Sequence, residues 1–289
     1  MRLANVANRA TLVTDDSTLQ ATAGTDVATA SNGQFGPSLA GIYEVWNEFQ
    51  TWAETVEVAT SEASPVDPLH LGPPTPEPRQ IVAAGLNYGK HIDESGFDRP
   101  DELPPIFTKF VSSLSGPLTE VNLPAGGHTD WEIELGVIIG SRLSQVDEAS
   151  AIRGIAGYTV TQDISERVLQ LRGPAPQFSL GKSFPGFLPS GPWLTTLDVL
   201  PDKDDLTLDC EINGESVQHS TTKSMLFPVG ALLAELSAVM TLFPGDLVLT
   251  GTPEGVGLGR TPERWLQPGD VLTSRITGLG ELRQTFIAN

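Results

Sequence analysis

The apolar positions of this chain fall mostly in short runs, closed by glycine, proline, asparagine or aspartate. Few of them follow a helical period, so strands dominate the expected structure. A hairpin is predicted over residues 2–6 and 10–14, with its turn at Ala7 and Asn8. Further strands are predicted at 80–85, 106–111, 135–139, 155–160, 206–212, 215–218, 247–250, 271–276 and 278–286. Asn213-Gly214 lies between two of these runs and marks a tight hairpin turn. Helical spacing is confined to 39–61, 144–153 and 228–242. Residues 64–78 contain six prolines and read as an extended linker. The pattern therefore predicts a mainly β fold with a few helices (α+β), with a small N-terminal domain at 1–78 and a larger domain at 79–289.

One predicted strand carries charge into the core. Asp130-Trp131-Glu132-Ile133-Glu134 runs directly into the apolar stretch Leu135–Ile139. Residues two apart in an extended chain point to one side, so Glu132 and Glu134 leave the same face. Two carboxylates that close raise each other's pKa unless a cation sits between them. A solvated strand end is the other reading of this stretch alone. Asp163 follows the predicted strand 155–160, at a turn that could open a helix, with Arg167 and Gln170 four and seven residues further on. Glu132, Glu134 and Asp163 are hard oxygen donors that suit Mg²⁺ or Mn²⁺. Lys182 and Arg167 could hold an anionic group or a developing oxyanion.

His91 and Glu94 stand three apart, one helical turn, where a carboxylate can orient an imidazole as a general base. A surface pair is the plainer alternative. The polar segment 92–104 has the look of a loop that closes over a site as a lid.

Composition narrows the classes. A net charge of −19 disfavours nucleic acid and anionic membranes as partners, although local cations can still receive an anionic small molecule. The single cysteine, Cys210, excludes disulfides within the chain and multi-cysteine zinc sites; its parity with Leu208 and Ile212 places it in the core. No apolar run could span a bilayer, which points to a cytoplasmic protein. The glycine-rich loop Gly251–Gly257 lacks a lysine at its end and opens no helix, so it is not read as a nucleotide site.

Six stretches in order resemble the fumarylacetoacetate hydrolase family, in its short branch with a single catalytic domain. They are Gly85-Leu86-Asn87-Tyr88 with His91 and Glu94; Asp130 to Leu135; and Gly157-Tyr158 with Gln162-Asp163-Ile164-Ser165. Gly181-Lys182-Ser183-Phe184 with Gly191-Pro192-Trp193 follows, then Asn213-Gly214-Glu215 with Gln218, and Gly245-Asp246 through Gly251–Gly257. The resemblance implies a mixed β-sandwich roll and a divalent metal, Mg²⁺ or Mn²⁺, on Glu132, Glu134 and Asp163. It further implies a substrate pocket with Tyr88, Arg167, Gln170, Lys182 and Thr252, a water activated by His91 and Glu94, and a homodimer. The implied substrates carry a 1,3-dicarbonyl or 2-oxo-acid unit. Hydrolytic cleavage of a C–C bond in an acylpyruvate is the leading expectation. Decarboxylation, tautomerisation or isomerisation of a 2-oxo diacid is the alternative, and a non-catalytic binding module the remote one. Gln162 and Pro185 depart from the family pattern, which usually has Asn and often Asp there, and a tyrosine that some relatives carry is replaced by Pro174.

Overall fold

The computed structural model describes residues 1–16, 22–56, 63–95 and 103–288. Strand dominates, as the apolar pattern predicts. The larger sheet runs in the order Ser64–Pro65, Thr22–Asp26, Arg9–Asp16, Arg2–Val6, Leu188–Thr195, Ile155–Gln162, Ile133–Ile139, Leu247–Leu249, Ile81–Ala84 and Ile106–Thr108. Most neighbours are antiparallel, but Leu247–Leu249 and Ile81–Ala84 run parallel, so the sheet is mixed. A second sheet orders Glu215–Thr221, Thr207–Ile212, Val271–Ile276, Gly280–Ala288 and Leu118–Leu123. At its first hairpin Asn213 and Gly214 both have positive φ (53° and 82°), the backbone a tight two-residue turn requires.

The strand Ile133–Ile139 is buried along its whole length because both of its faces are covered. Ile133, Leu135, Val137 and Ile139 face a core shared with Leu208, Ile212, Leu272, Leu282 and Phe286 of the second sheet. Ile138, on the opposite face, packs with Leu3, Leu39, Ile42 and Phe49 of the N-terminal segment. The expected helix at 39–61 is two helices, Leu39–Glu44 and Trp46–Thr55, joined at Val45. Across the expected boundary at residue 78 the larger sheet is continuous, with Arg2–Val6 paired to Leu188–Thr195. The long amphipathic helix is found at Val229–Val239, the other at Glu148–Arg153. The expected strand 106–111 stops at Thr108, and Lys109 follows it. Of the expected lid, residues 96–102 lie outside the described residues. No described helix is long and apolar enough to cross a membrane.

Candidate active site

Antiparallel pairing assembles the site. Ile133 stands opposite Gln162 and Glu134 opposite Thr161, so Asp163 emerges beside Glu132. Its backbone N–H donates to the Glu132 carbonyl at 2.9 Å. The chain then pairs Asp130 with Ser165 and enters the short helix Arg167–Gln170. The next short helix, Phe178–Gly181, lies against it. Gly181 makes that approach possible, since a Cβ there would sit 2.6 Å from the Gln170 nitrogen. Lys182 is thereby delivered to the carboxylates. Asp163 does not open the helix that carries Arg167 and Gln170, as the sequence allowed; a two-residue strand, Ser165–Glu166, intervenes.

Glu132, Glu134 and Asp163 are all buried, and one ligand oxygen from each lies within 4.8 Å of the others. Lys182 Nζ bridges Glu132 (2.8 Å) and Asp163 (2.6 Å) and also donates to Ser165 Oγ (2.7 Å). Arg167 reaches Glu132 at 2.7 Å, clasps Asp130 through Nε and Nη2, and donates to Gln170 Oε1 at 2.9 Å. Burial opposes the ionisation of Glu132, but Lys182, Arg167 and His91 outweigh it and hold its pKa well below the carboxylate range. Glu134 goes the other way: burial, then the charges of Asp163 and Glu132, push its pKa well above the ordinary value. Its Oε2 accepts the Gly251 N–H at 2.7 Å, and among the described residues no cation pairs with it directly. Three oxygen donors this close, one of them uncompensated, fit a hard divalent cation.

His91 and Glu94 lie on the helix Gly89–Ser95, with Nδ1 and Oε1 2.9 Å apart. Nε2 is then the nitrogen left for chemistry. Glu94 is itself fixed by the Gly255 N–H, at 2.9 and 3.1 Å from its two oxygens. The loop Gly251–Gly257 is thus a cradle for carboxylates: Gly251 serves Glu134, Gly255 serves Glu94, and Gly257 donates to Asp130 at 2.6 Å. Gly251 holds φ +93° there, and a Cβ would press on the Ala84 carbonyl at 3.0 Å. Thr252 donates to the Ile133 carbonyl (2.9 Å) and accepts from Gln218 (2.8 Å).

One cavity gathers His91, Glu132, Glu134, Arg167, Gln170, Lys182 and Thr252, with Phe107, Phe178, Leu171 and Leu258 among its apolar walls. Tyr88 is not part of the lining; it is buried in the inter-sheet core, and burial followed by the charges of Glu134 and Glu254 pushes its hydroxyl pKa up. The structure adds residues that sequence reasoning passed over. Lys109 is fully buried and donates to Asp163 Oδ1 and the Ile164 carbonyl. Burial lowers its pKa more than Asp163 restores it. A lysine between Phe107 and Phe110 in an otherwise apolar segment was the available signal, because a buried ammonium needs a carboxylate. Gln162 accepts the Glu132 N–H and donates to Ser274, so this departure from the family pattern anchors a candidate ligand. Cys210 is a core thiol, its pKa pushed up to about 12 by burial.

A family model described as the fumarylacetoacetate (FAA) hydrolase C-terminal matches residues 80–287. A candidate hydrolase of Burkholderia cenocepacia is 43% identical over 231 residues, covering 76% of this chain and 81% of its own length. The crystal structure of a candidate HpcE protein from Mycobacterium smegmatis is 50% identical, with a TM-score of 0.92, over 100% of this chain and 99% of that one. A fumarylacetoacetate hydrolase of Exiguobacterium antarcticum is 30% identical (TM-score 0.82), covering all of both chains. The maleylpyruvate hydrolase of Sphingobium sp. SYK-6, in complex with manganese(II) and pyruvate, is 27% identical (TM-score 0.79), also over both whole chains. The chain belongs to the fumarylacetoacetate hydrolase family.

Proposed function

We propose that the protein hydrolyses a C–C bond in an acylpyruvate or related 1,3-dicarbonyl acid, using a divalent metal held by Glu132, Glu134 and Asp163. The observation that carries this reading is the His91–Glu94 pair, bonded at 2.9 Å, whose imidazole lines the same cavity as Glu132 and Glu134. The maleylpyruvate hydrolase with manganese and pyruvate supports Mn²⁺, or the chemically similar Mg²⁺, as the ion.

The bound ion would supply Lewis acidity and a template for two neighbouring substrate oxygens. The chain's own residues do the rest. Glu94 fixes the Nδ1 proton of His91, leaving Nε2 basic. Nε2 takes a proton from water, whose oxygen attacks the acyl carbonyl carbon. The bond to the adjacent methylene carbon breaks, and its electron pair stays with the pyruvate fragment as an enolate. The proton on His91 then returns to that carbon. Lys182 and Arg167 face the same cavity and offset the negative charge that develops. Gln170 and Thr252 orient the substrate.

His91→Ala tests the reading. The expected result is a loss of about a hundredfold to ten-thousandfold in hydrolysis with metal affinity nearly unchanged. The second reading is a decarboxylase, tautomerase or isomerase of a 2-oxo diacid at the same residues. It draws support from a 5-carboxymethyl-2-hydroxymuconate delta-isomerase of Mycobacterium smegmatis, 29% identical with a TM-score of 0.77 over 100% of both chains. An alanine variant that keeps its turnover and releases CO₂ or an isomer would favour that reading. The proposed working unit is a cytoplasmic homodimer, for which light scattering should give twice the 30.8 kDa chain mass.

A further inference from the structure

Gln218 belongs to the second sheet, behind the cavity. Its strand, Glu215–Thr221, pairs with Thr207–Ile212 through a bulge: Gln218 stands opposite Cys210 and Ser216 opposite Glu211, with Val217 the extra residue between them. A regular strand turns one of two neighbouring residues outward. The bulge lets Val217 and Gln218 both face inward, at 5% and 2% accessible. It therefore aims a polar amide at the interior, which is favourable only where that amide's hydrogen bonds are met.

The groups that meet them belong to the site. Gln218 Oε1 accepts the N–H of Ile133, the residue between Glu132 and Glu134, at 3.0 Å. Its Nε2 donates to the Pro253 carbonyl and to Thr252 Oγ1, both at 2.8 Å. A backbone N–H at one end and a backbone carbonyl at the other fix which way the amide points. Thr252 in turn donates its hydroxyl proton to the Ile133 carbonyl at 2.9 Å. One side chain thus grips Ile133 directly at its nitrogen and, through Thr252, at its oxygen. The same side chain fixes the glycine-rich loop at Pro253, midway between the two N–H groups that hold Glu134 and Glu94 (Gly251 and Gly255). Gly255 packs so closely on the bulge that a Cβ there would overlap the Val217 carbonyl and lie 3.3 Å from Gln218 Cγ.

We propose that Gln218 is a positioning residue. It registers the loop that holds Glu134 and Glu94 against the strand that carries Glu132 and Glu134, and so sets the spacing between the carboxylate cluster and the His91–Glu94 pair. The assignment goes beyond the hydrolase reading and rests on it for the roles of those side chains.

Gln218→Met tests it, because methionine keeps the length of the side chain and removes all three hydrogen bonds. Two measurements are made well below the melting temperature, where only the folded protein is read. Hydrogen exchange over residues 250–257 of the metal-free variant should speed up at least about tenfold, while exchange in the distant helix Trp46–Thr55 stays as in the parent. Titration with Mn²⁺ should show a loss of affinity of about tenfold or more. Because Gln218 reaches the Ile133 carbonyl through Thr252, Thr252→Val should weaken Mn²⁺ binding too, and the double variant should lose less than the product of the two single losses. A role confined to stability would lower Tm and leave both the loop exchange and the Mn²⁺ affinity at the parent's values, which overturns the proposal. Losses that simply multiply in the double variant overturn it as well. If Gln218→Met does not fold, Gln218→Glu is read in the same way; it keeps the shape and the acceptor for the Ile133 N–H but cannot make both donations. Hydrolysis by the parent is scored separately, by product analysis with an alkyl acylpyruvate. Coupled losses in the variants with no hydrolysis by the parent would leave the positioning role standing and remove the hydrolase reading.

Discussion

Asp130 and Glu134 are buried carboxylates four residues apart, and the fold treats them oppositely. Asp130 is saturated. It accepts the N–H groups of Trp131, Gly257 and Leu258 and two bonds from the Arg167 guanidinium. Glu134 accepts one backbone N–H, from Gly251, and stands near two other carboxylates. Asp130 has every partner it needs from the chain, so it fixes structure. Among the described residues no cation pairs with Glu134, which is why it is proposed as a ligand for an external one. The degree of satisfaction separates the two, where burial and residue type do not.

The largest effect should come from Glu134→Gln. Losing one hard anionic donor should lower metal affinity by orders of magnitude and reduce turnover by at least about a hundredfold. The metal-free variant should melt no lower than the metal-free parent, because a neutral amide relieves repulsion. A metal titration paired with melting curves checks both halves. Normal metal binding by the variant would place Glu134 outside the centre.

Asp130→Asn should show the reverse pattern. The amide nitrogen would confront N–H donors that now meet a carboxylate, and Arg167 would lose its buried counter-charge. About 3 kcal/mol of stability should go, as for other broken buried pairs. Denaturant unfolding measures it. A variant as stable as the parent would end the contrast between the two residues.

Acidity provides a third lever. Folding raises the Glu134 pKa above its ordinary 4.5. Below about 4.5 the group is protonated in folded and unfolded chains alike and its penalty is absent. As pH climbs from there to the folded-state pKa, the unfolded chain releases this proton while the metal-free folded protein retains it, so stability falls and the loss is complete above that pKa. Divalent metal, which binds the ionised form, offsets that loss. The gap in Tm between metal-loaded and chelated protein should therefore widen from pH 5 towards pH 8. In Glu134→Gln the widening should vanish. A gap in the parent that stays constant with pH would assign the stabilisation to another group.

The smallest effect is expected at Gln162. Gln162→Leu removes the acceptor of the Glu132 N–H and should cost about 1–2 kcal/mol. A modest loss of metal affinity should accompany it. Thermal melts with and without Mn²⁺ separate the two contributions, and unchanged affinity would limit Gln162 to a structural role.

The sequence by itself determined many of the strands, though not Thr22–Asp26 or Leu118–Leu123, together with the Asn213–Gly214 turn and the spacing that puts Glu132 and Glu134 on one face. Each of these depends on local periodicity or on a backbone preference, which neighbours along the chain express. It also held the ordered stretches that carry the family resemblance. Tertiary structure decided the rest. The gathering of Lys109, Lys182 and Arg167 around Asp163, Glu132 and Asp130 depends on strand pairing between residues tens of positions apart. The glycine-rich loop gave no sign in the sequence that its N–H groups would hold Glu134, Glu94 and Asp130, because backbone donors look alike until the fold aims them. The proline-rich stretch 64–78 reads locally as a linker, yet the strands before it complete the same sheet as the strands after it. Composition records where a chain is extended; only pairing and burial decide what the extended chain lies against.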